Sequence, residues 1–292
     1  VMFYASRFFY SQRFLHNSTP LNKVPTGSWG LCRFAACGTY DKHFPRFASF
    51  LLPHVHAAQC KQAESTSAYT QVTQTVTPPF QNNASLGTVM LNHYVGDFKS
   101  TGKIVDDVPR FLTSFGHQKT AEHCFAVASK ATELAKRFNS DLSKAEQAGY
   151  LHDVSAIIPN EKRIDFAQSQ SVEILAEEIQ HPMIIHQKLS VVLAKEVFGV
   201  TDIEILSAIG CHTTLKARPT LLDKVIFLAD KIAWDQDGSP PYFSKVIKAM
   251  DESLDVAVLE YLNYLWERRN QLKVIHPWLI EAREYIIQTN AR

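Results

Sequence analysis

The chain has 292 residues, enough for one large domain or two smaller ones. Its net charge of +1 removes any global electrostatic case for binding nucleic acid or an anionic membrane. No uncharged apolar run reaches the roughly 18 residues of a membrane span. The five cysteines (Cys32, Cys37, Cys60, Cys124, Cys211) are odd in number and form no Cys-x-x-Cys pair. That argues against a disulfide framework or a structural zinc site and fits a reducing, cytoplasmic compartment.

The average charge hides two different parts. Residues 1–89 hold seven Lys/Arg and two acids, whereas 90–292 hold 23 and 27. The first part has no sustained apolar period, and Ser65 to Pro79 reads as a polar, weakly ordered linker. Its start, with Arg7, Arg13 and several serines, has the composition of a transit peptide; extra sequence ahead of the true start and a disordered tail are the other readings, extra sequence leading. Residues 1–89 are therefore read as a poorly ordered or non-native extension without chemistry, and 90–292 as the functional domain.

From Lys119 the pattern is helical. Ala126, Val127, Ala131, Leu134 and Ala135 recur at helical spacing up to Phe138. Asn139-Ser140-Asp141 breaks that helix and caps the next, over 142–155, which Pro159 ends. A short polar helix follows near 160–168. Pro182 is expected to open a helix running to Phe198 and stopped by Gly199. Thr201-x-x-Glu204 reads as a capping box for a helix over 202–212. Further helices are expected over 221–234, over 254–269 and after Pro277, with a loop at 238–241. The fold class is all-α, a helical bundle.

Polar side chains fall on the apolar faces of these helices. His123 precedes Ala126 and Val127 by three and four positions. His152 and Asp153 stand side by side in the apolar run from Ala148 to Val154. His186 has Leu189 and Leu193 at i+3 and i+7. His212 follows Ile205, Ala208 and Ile209, and Asp230 ends the run Val225 to Ala229. Any one of them reads most simply as a hydrogen-bonded core residue. Five such helices in succession are harder to dismiss, because bundles build metal sites from inward His and carboxylates. Imidazole and carboxylate ligands suit iron, manganese or zinc without choosing among them.

The order His123, His152-Asp153, His186, His212, Asp230 resembles the HD-domain metal-dependent phosphohydrolases. The resemblance covers about 119–262. It is greatest to the YqeK-like branch of symmetrical bis(5′-nucleosyl)-tetraphosphatases. The matching text includes Glu122-His123, Ala148-Gly149-Tyr150-Leu151-His152-Asp153, Ile184-Ile185-His186, His212-Thr213-Thr214 and Leu228-Ala229-Asp230-Lys231-Ile232. It implies a metal site between inward helix faces that holds two divalent ions, iron first among them. His123, His152, Asp153 and Asp230 would hold one ion, and His186 and His212 the other. Asp153 would bridge and is the expected catalytic residue. Such ions bind phosphate oxygens and acidify water for attack at phosphorus. The implied reaction is hydrolysis of diadenosine tetraphosphate to two ADP. HD-type hydrolysis of another nucleotide, or a nucleotide-binding module with little catalysis, are the alternatives. A partner domain of a nicotinate-nucleotide adenylyltransferase does not fit, because 1–89 lacks that enzyme's length and His-x-x-His pattern.

The chain departs from the family where a lysine often follows the doublet, here Ala156. Ser190-Val191 replaces a Gly-Ala step, and Ala233 stands in place of an acid. Lys162 or Arg163 is a candidate replacement for the missing lysine. Thr213, Lys216 and Arg218 are the candidate substrate contacts; Thr213 and Thr214 could equally cap their helix, and the two cations could be surface charge. His117 is a weaker alternative to His123. Cys211 reads as core, and Tyr261, Tyr264, Leu265 and Trp266 as helix packing or a homodimer surface. No nucleic-acid or membrane partner is expected.

Overall fold

The computed structural model describes residues 83–234 and 238–290. Of the extension expected over 1–89, residues 1–82 with the linker lie outside the described residues. The 89/90 junction lies inside the first described helix, α1 (Asn83–Val95). Eleven more α-helices follow: α2 (Ile104–Ser114), α3 (Gln118–Phe138), α4 (Leu142–Leu151), α5 (Arg163–Ser169), α6 (Ala176–Gln180), α7 (His186–Glu196), α8 (Ile203–Cys211), α9 (Leu221–Ile232), α10 (Phe243–Ala249), α11 (Leu254–Glu267) and α12 (Pro277–Asn290). No strand occurs among the described residues. The fold is the all-α bundle that the periodicity predicts.

The centre is α3, α4, α8 and α9, with α7 packed on α8 and α11 on α9. α9 shows why it lies inside. Every residue from Val225 to Ile232 is buried, so this helix is apolar on all sides except at its charged members. α3 instead buries one stripe, Cys124, Val127, Ala128, Ala131, Leu134 and Ala135. Its small residues let α4 come close. Gly149 of α4 lies against the backbone of Ala128, and a Cβ there would stand 2.5 Å from the Ala128 Cα. Around this centre Phe111, Phe166 and Phe227 are fully buried, each contributing about 1.5–3 kcal/mol.

Caps set several element ends. The Asp141 carboxylate accepts from Lys144 N–H and starts α4, as the sequence predicts. Asn139 takes the left-handed conformation that closes α3. The start of α8 differs from expectation: Asp202, not Thr201, is the N-cap, its carboxylate accepting from the Glu204 and Ile205 N–H groups. The Asp202 carboxylate accepts from two of the four orphan donors of the first turn. α9 has its own box, in which Thr220 and Asp223 cap each other. Pro182 does not open α7; it lies in the turn between α6 and α7, and α7 begins at His186.

α4 also ends earlier than expected. It stops at Leu151, His152 is its C-cap, and a 3-10 turn (Val154–Ile157) follows. The doublet therefore sits at a helix end rather than inside a helix. The two side chains lie close together there, His152 Nε2 being 3.6 Å from Asp153 Oδ2.

Candidate metal centre

Three of the histidines are built by one local device. His152 closes α4, His212 closes α8 and His186 opens α7. In each ring Nδ1 faces the carbonyl three residues earlier: Gly149 at 2.7 Å, Ile209 at 2.8 Å and Met183 at 2.5 Å. A carbonyl only accepts, so Nδ1 carries the proton and donates. Nε2 is left with its lone pair, the atom a metal needs.

Those Nε2 atoms converge. His186 Nε2 and His212 Nε2 are 2.9 Å apart, and Asp153 Oδ1 lies 3.1 Å from the first and 3.5 Å from the second. Lone pairs facing one another and a carboxylate at these distances repel unless a cation lies among them. On the other side His123 Nε2 is 3.1 Å from Asp230 Oδ1, and His152 Nε2 lies 3.6 Å from Asp153 Oδ2 and 3.8 Å from Asp230 Oδ1. All six residues are buried. Two groups of candidate ligand atoms result: His123, His152 and Asp153, and then Asp153, His186 and His212. Asp153 belongs to both.

The protonation states favour a cation. Burial pushes the His152 imidazole down to about 4 and also lowers that of His212, so both are neutral at pH 7. Burial works to raise the two carboxyls. The imidazoles of His152 and His186 outweigh it at Asp153, and the Lys231 ammonium beside Asp230 outweighs it there, so both titrate well below the usual range. Two buried carboxylates thus face a single buried ammonium. Neither Asp153 oxygen accepts a hydrogen bond, and neither does His152 Nε2. Buried polar atoms are costly when unsatisfied, and divalent metal satisfies them together. The residues present fit a metal pair.

The centre has support beyond the expected ligands. The Lys231 ammonium, itself buried, donates to Asp230 Oδ2 at 2.5 Å and to the His212 carbonyl at 3.3 Å. Gln187, fully buried, accepts at Oε1 from Thr213 N–H at 3.1 Å. Ser190 and Ser155 form a closed hydroxyl circuit: Ser190 Oγ–H donates to Ser155 Oγ, which donates to the His186 carbonyl. Ser155 N–H returns to Ser190 Oγ at 3.2 Å. The signal for Lys231 was a charge beside Asp230 at the end of the apolar run Val225 to Ala229. Gln187 gave no periodic signal.

The remaining candidates fall in different places. The Thr213 hydroxyl is buried, 3.3 Å from His186 Nε2. The Lys216 ammonium donates to Ser207 and pairs with Asp223 Oδ2 at 3.2 Å, at the far end of α9 from Asp230. Arg218 is exposed on the loop beyond, with a positive φ of 50°. Arg163 is fully buried and donates to the Ile158 and Met183 carbonyls, while Lys162 is exposed. Ala156 is buried beside the doublet. His117 is the N-cap of α3 and belongs to neither ligand group. Cys211 is buried in α8 as core. Tyr261 and Leu265 are buried, and Tyr261 meets Phe227 and Tyr242 edge to face. Among the described residues no helix is long and apolar enough to cross a membrane.

Comparison with known proteins identifies the family. The HD domain family matches residues 120–235, the segment from the start of α3 to just past α9. The chain is 44% identical over 151 residues to an uncharacterized protein of the pepC 5′ region of Lactococcus lactis subsp. cremoris, covering 51% of this chain and 76% of that one. It is 33% identical over 139 residues to a symmetrical bis(5′-nucleosyl)-tetraphosphatase of Bacillus subtilis, covering 47% of this chain and 73% of that one. It also superposes on a crystal structure described as a predicted HD superfamily hydrolase involved in NAD metabolism from Clostridium acetobutylicum. That likeness has a TM-score of 0.58 and 31% identity, over 63% of this chain and 97% of the other. The chain belongs to the HD-domain phosphohydrolases. Within that family its similarity runs to proteins named as symmetrical bis(5′-nucleosyl)-tetraphosphatases.

Proposed function

We propose that this chain hydrolyses dinucleoside tetraphosphates symmetrically, taking diadenosine tetraphosphate to two ADP, at a centre of two divalent metals. The observation that carries the reading is the position of Asp153, common to both buried groups of candidate ligand atoms. In this reading His123, His152, Asp153 and Asp230 would hold one metal, and Asp153, His186 and His212 the other. Bound there, the metals supply charge neutralisation for phosphate oxygens and an acidified water. The family resemblance points to iron, while the imidazole and carboxylate set suits manganese and zinc as well.

The chain's own residues have separable tasks. The carbonyls of Gly149, Met183 and Ile209 hold three imidazoles in the tautomer that points Nε2 inward. The Lys231 ammonium fixes the outer oxygen of Asp230 and leaves Oδ1 for the centre. The Thr213 hydroxyl, at the inner edge of the turn, donates to a substrate phosphate oxygen. Arg218, exposed on the following loop, attracts the polyphosphate, whose four phosphates make it a strong anion. Lys216 joins it only on leaving Asp223. The domain that does this is 90–292.

The test is product analysis with the full chain loaded in turn with Fe²⁺, Mn²⁺ and Zn²⁺. Diadenosine tetraphosphate should give ADP alone. ATP plus AMP would overturn the symmetric cut, and no turnover with any metal on a folded sample would overturn the substrate. Thermal stabilisation by the nucleotide without hydrolysis would point to the binding-module alternative.

A further inference from the structure

His186 and His212 come from different helices, α7 and α8, and approach within 2.9 Å at Nε2. His212 stands where α8 has already given way to a turn. The backbone of that turn is strained: Leu215 is a non-glycine residue at φ 60°, with its N–H bonded to the Cys211 carbonyl. Something outside the turn must hold it. Gln187, the residue after His186, is fully buried and reaches across to it. Its Oε1 accepts from Thr213 N–H at 3.1 Å and from Thr214 N–H at 3.4 Å. Its Nε2 donates to Thr214 Oγ1 at 3.1 Å, while that hydroxyl donates onward to the Leu215 carbonyl. Two N–H donors fix which end of the amide is oxygen. Every polar contact of this side chain that we observe is made with the two residues following His212.

We propose that Gln187 is the positioning residue of the His186–His212 half of the centre. It stitches the residue after one imidazole to the residues after the other and so sets the gap that the second metal enters. The other half does not depend on it, because His123, His152 and Asp230 are carried by α3, α4 and α9. The inference rests on the two-metal reading above.

The experiment is metal stoichiometry and chelator competition on the full chain and on Gln187→Met, which keeps volume and removes the polar contacts. The wild type should bind two metals. In the variant the first should bind as before and the second about 10–100-fold more weakly, the usual scale for residues that orient metal ligands. A role in folding alone would lower the melting temperature and leave both affinities unchanged, which overturns the inference. Thr214→Val removes the hydroxyl contact with Gln187 Nε2 and the bond to the Leu215 carbonyl, leaves both N–H contacts to Oε1, and should weaken the second metal alone by a few-fold. It decides the matter if Gln187→Met does not fold, unchanged affinity being the contrary result. A wild type that binds a single metal overturns the two-metal reading itself, and this inference with it. Two tightly held metals in both variants overturn this inference alone.

Discussion

Gly149→Ala should cost stability out of proportion to one methyl group. The new Cβ would stand 2.5 Å from the Ala128 Cα, 2.8 Å from its N and 3.1 Å from its Cβ. Two of these three atoms are backbone, so no side-chain rotation relieves the clash. α3 and α4 must part by about 1 Å along their seam, at an overpacking cost of about 1–3 kcal/mol or more. Alanine recovers up to about 1 kcal/mol through helix propensity. A net loss of about 2 kcal/mol lowers the melting temperature by roughly 4–8 °C in a domain of this size. The same movement separates His123 and His152, whose ring centroids are 5.2 Å apart, and should weaken metal binding. Calorimetry of the full chain in chelator isolates the packing effect from the metal's own stabilisation. Gly210→Ala in α8 is the control: its Cβ meets only Val191 Cγ2 at 3.2 Å, a methyl that can rotate away. That variant should melt at or slightly above the wild-type temperature. Equal melting of Gly149→Ala and wild type would refute the close-approach argument.

Asp107 caps the loop before α2, accepting from the N–H groups of Thr101 and Gly102, the hydroxyls of Ser100 and Thr101, and the Arg110 guanidinium. Burial opposes its ionisation, yet these donors hold its carboxyl well below the usual range. Its stabilising contribution is therefore complete above the unfolded value near 4 and fades as pH falls toward the folded one. Asp107→Asn should lose about 1–3 kcal/mol at pH 7 in urea titrations, with the gap to wild type closing below about pH 4; a gap independent of pH contradicts this. Burial raises the Cys124 and Cys211 thiols well above the ordinary value. Peptide mapping after iodoacetamide at pH 8 should find both unmodified until the protein unfolds, and labelling of the native chain at either would contradict their burial. Arg218→Ala should raise KM for the polyphosphate several-fold and leave kcat unchanged, whereas an unaltered KM removes Arg218 from the substrate path.

Much of the centre was legible because its residues break a pattern. A histidine or aspartate on an apolar helical face is conspicuous, and His123, His152, Asp153, His186, His212 and Asp230 all lie together in the fold. The supporting residues were not legible. Gln187 serves a turn distant in sequence, and the Ser155–Ser190 circuit joins residues 35 apart. α1 and α2 escaped as well. α2 does carry the stripe Val108, Phe111 and Leu112, but Pro109 stands inside it and reads as a breaker. The break after Leu151 goes with a side-chain bond, His152 Nδ1 to the Gly149 carbonyl, and apolar periodicity over 142–155 does not carry that.

Elemental analysis of the metal-loaded full chain beside Asp153→Ala decides whether the doublet carboxylate joins the two halves of the centre. The wild type should carry two metals per chain. The variant should lose at least one, hydrolyse no nucleotide and keep its helical circular dichroism. An Asp153→Ala protein that keeps both metals and full turnover would show that Asp153 is not shared between two metals.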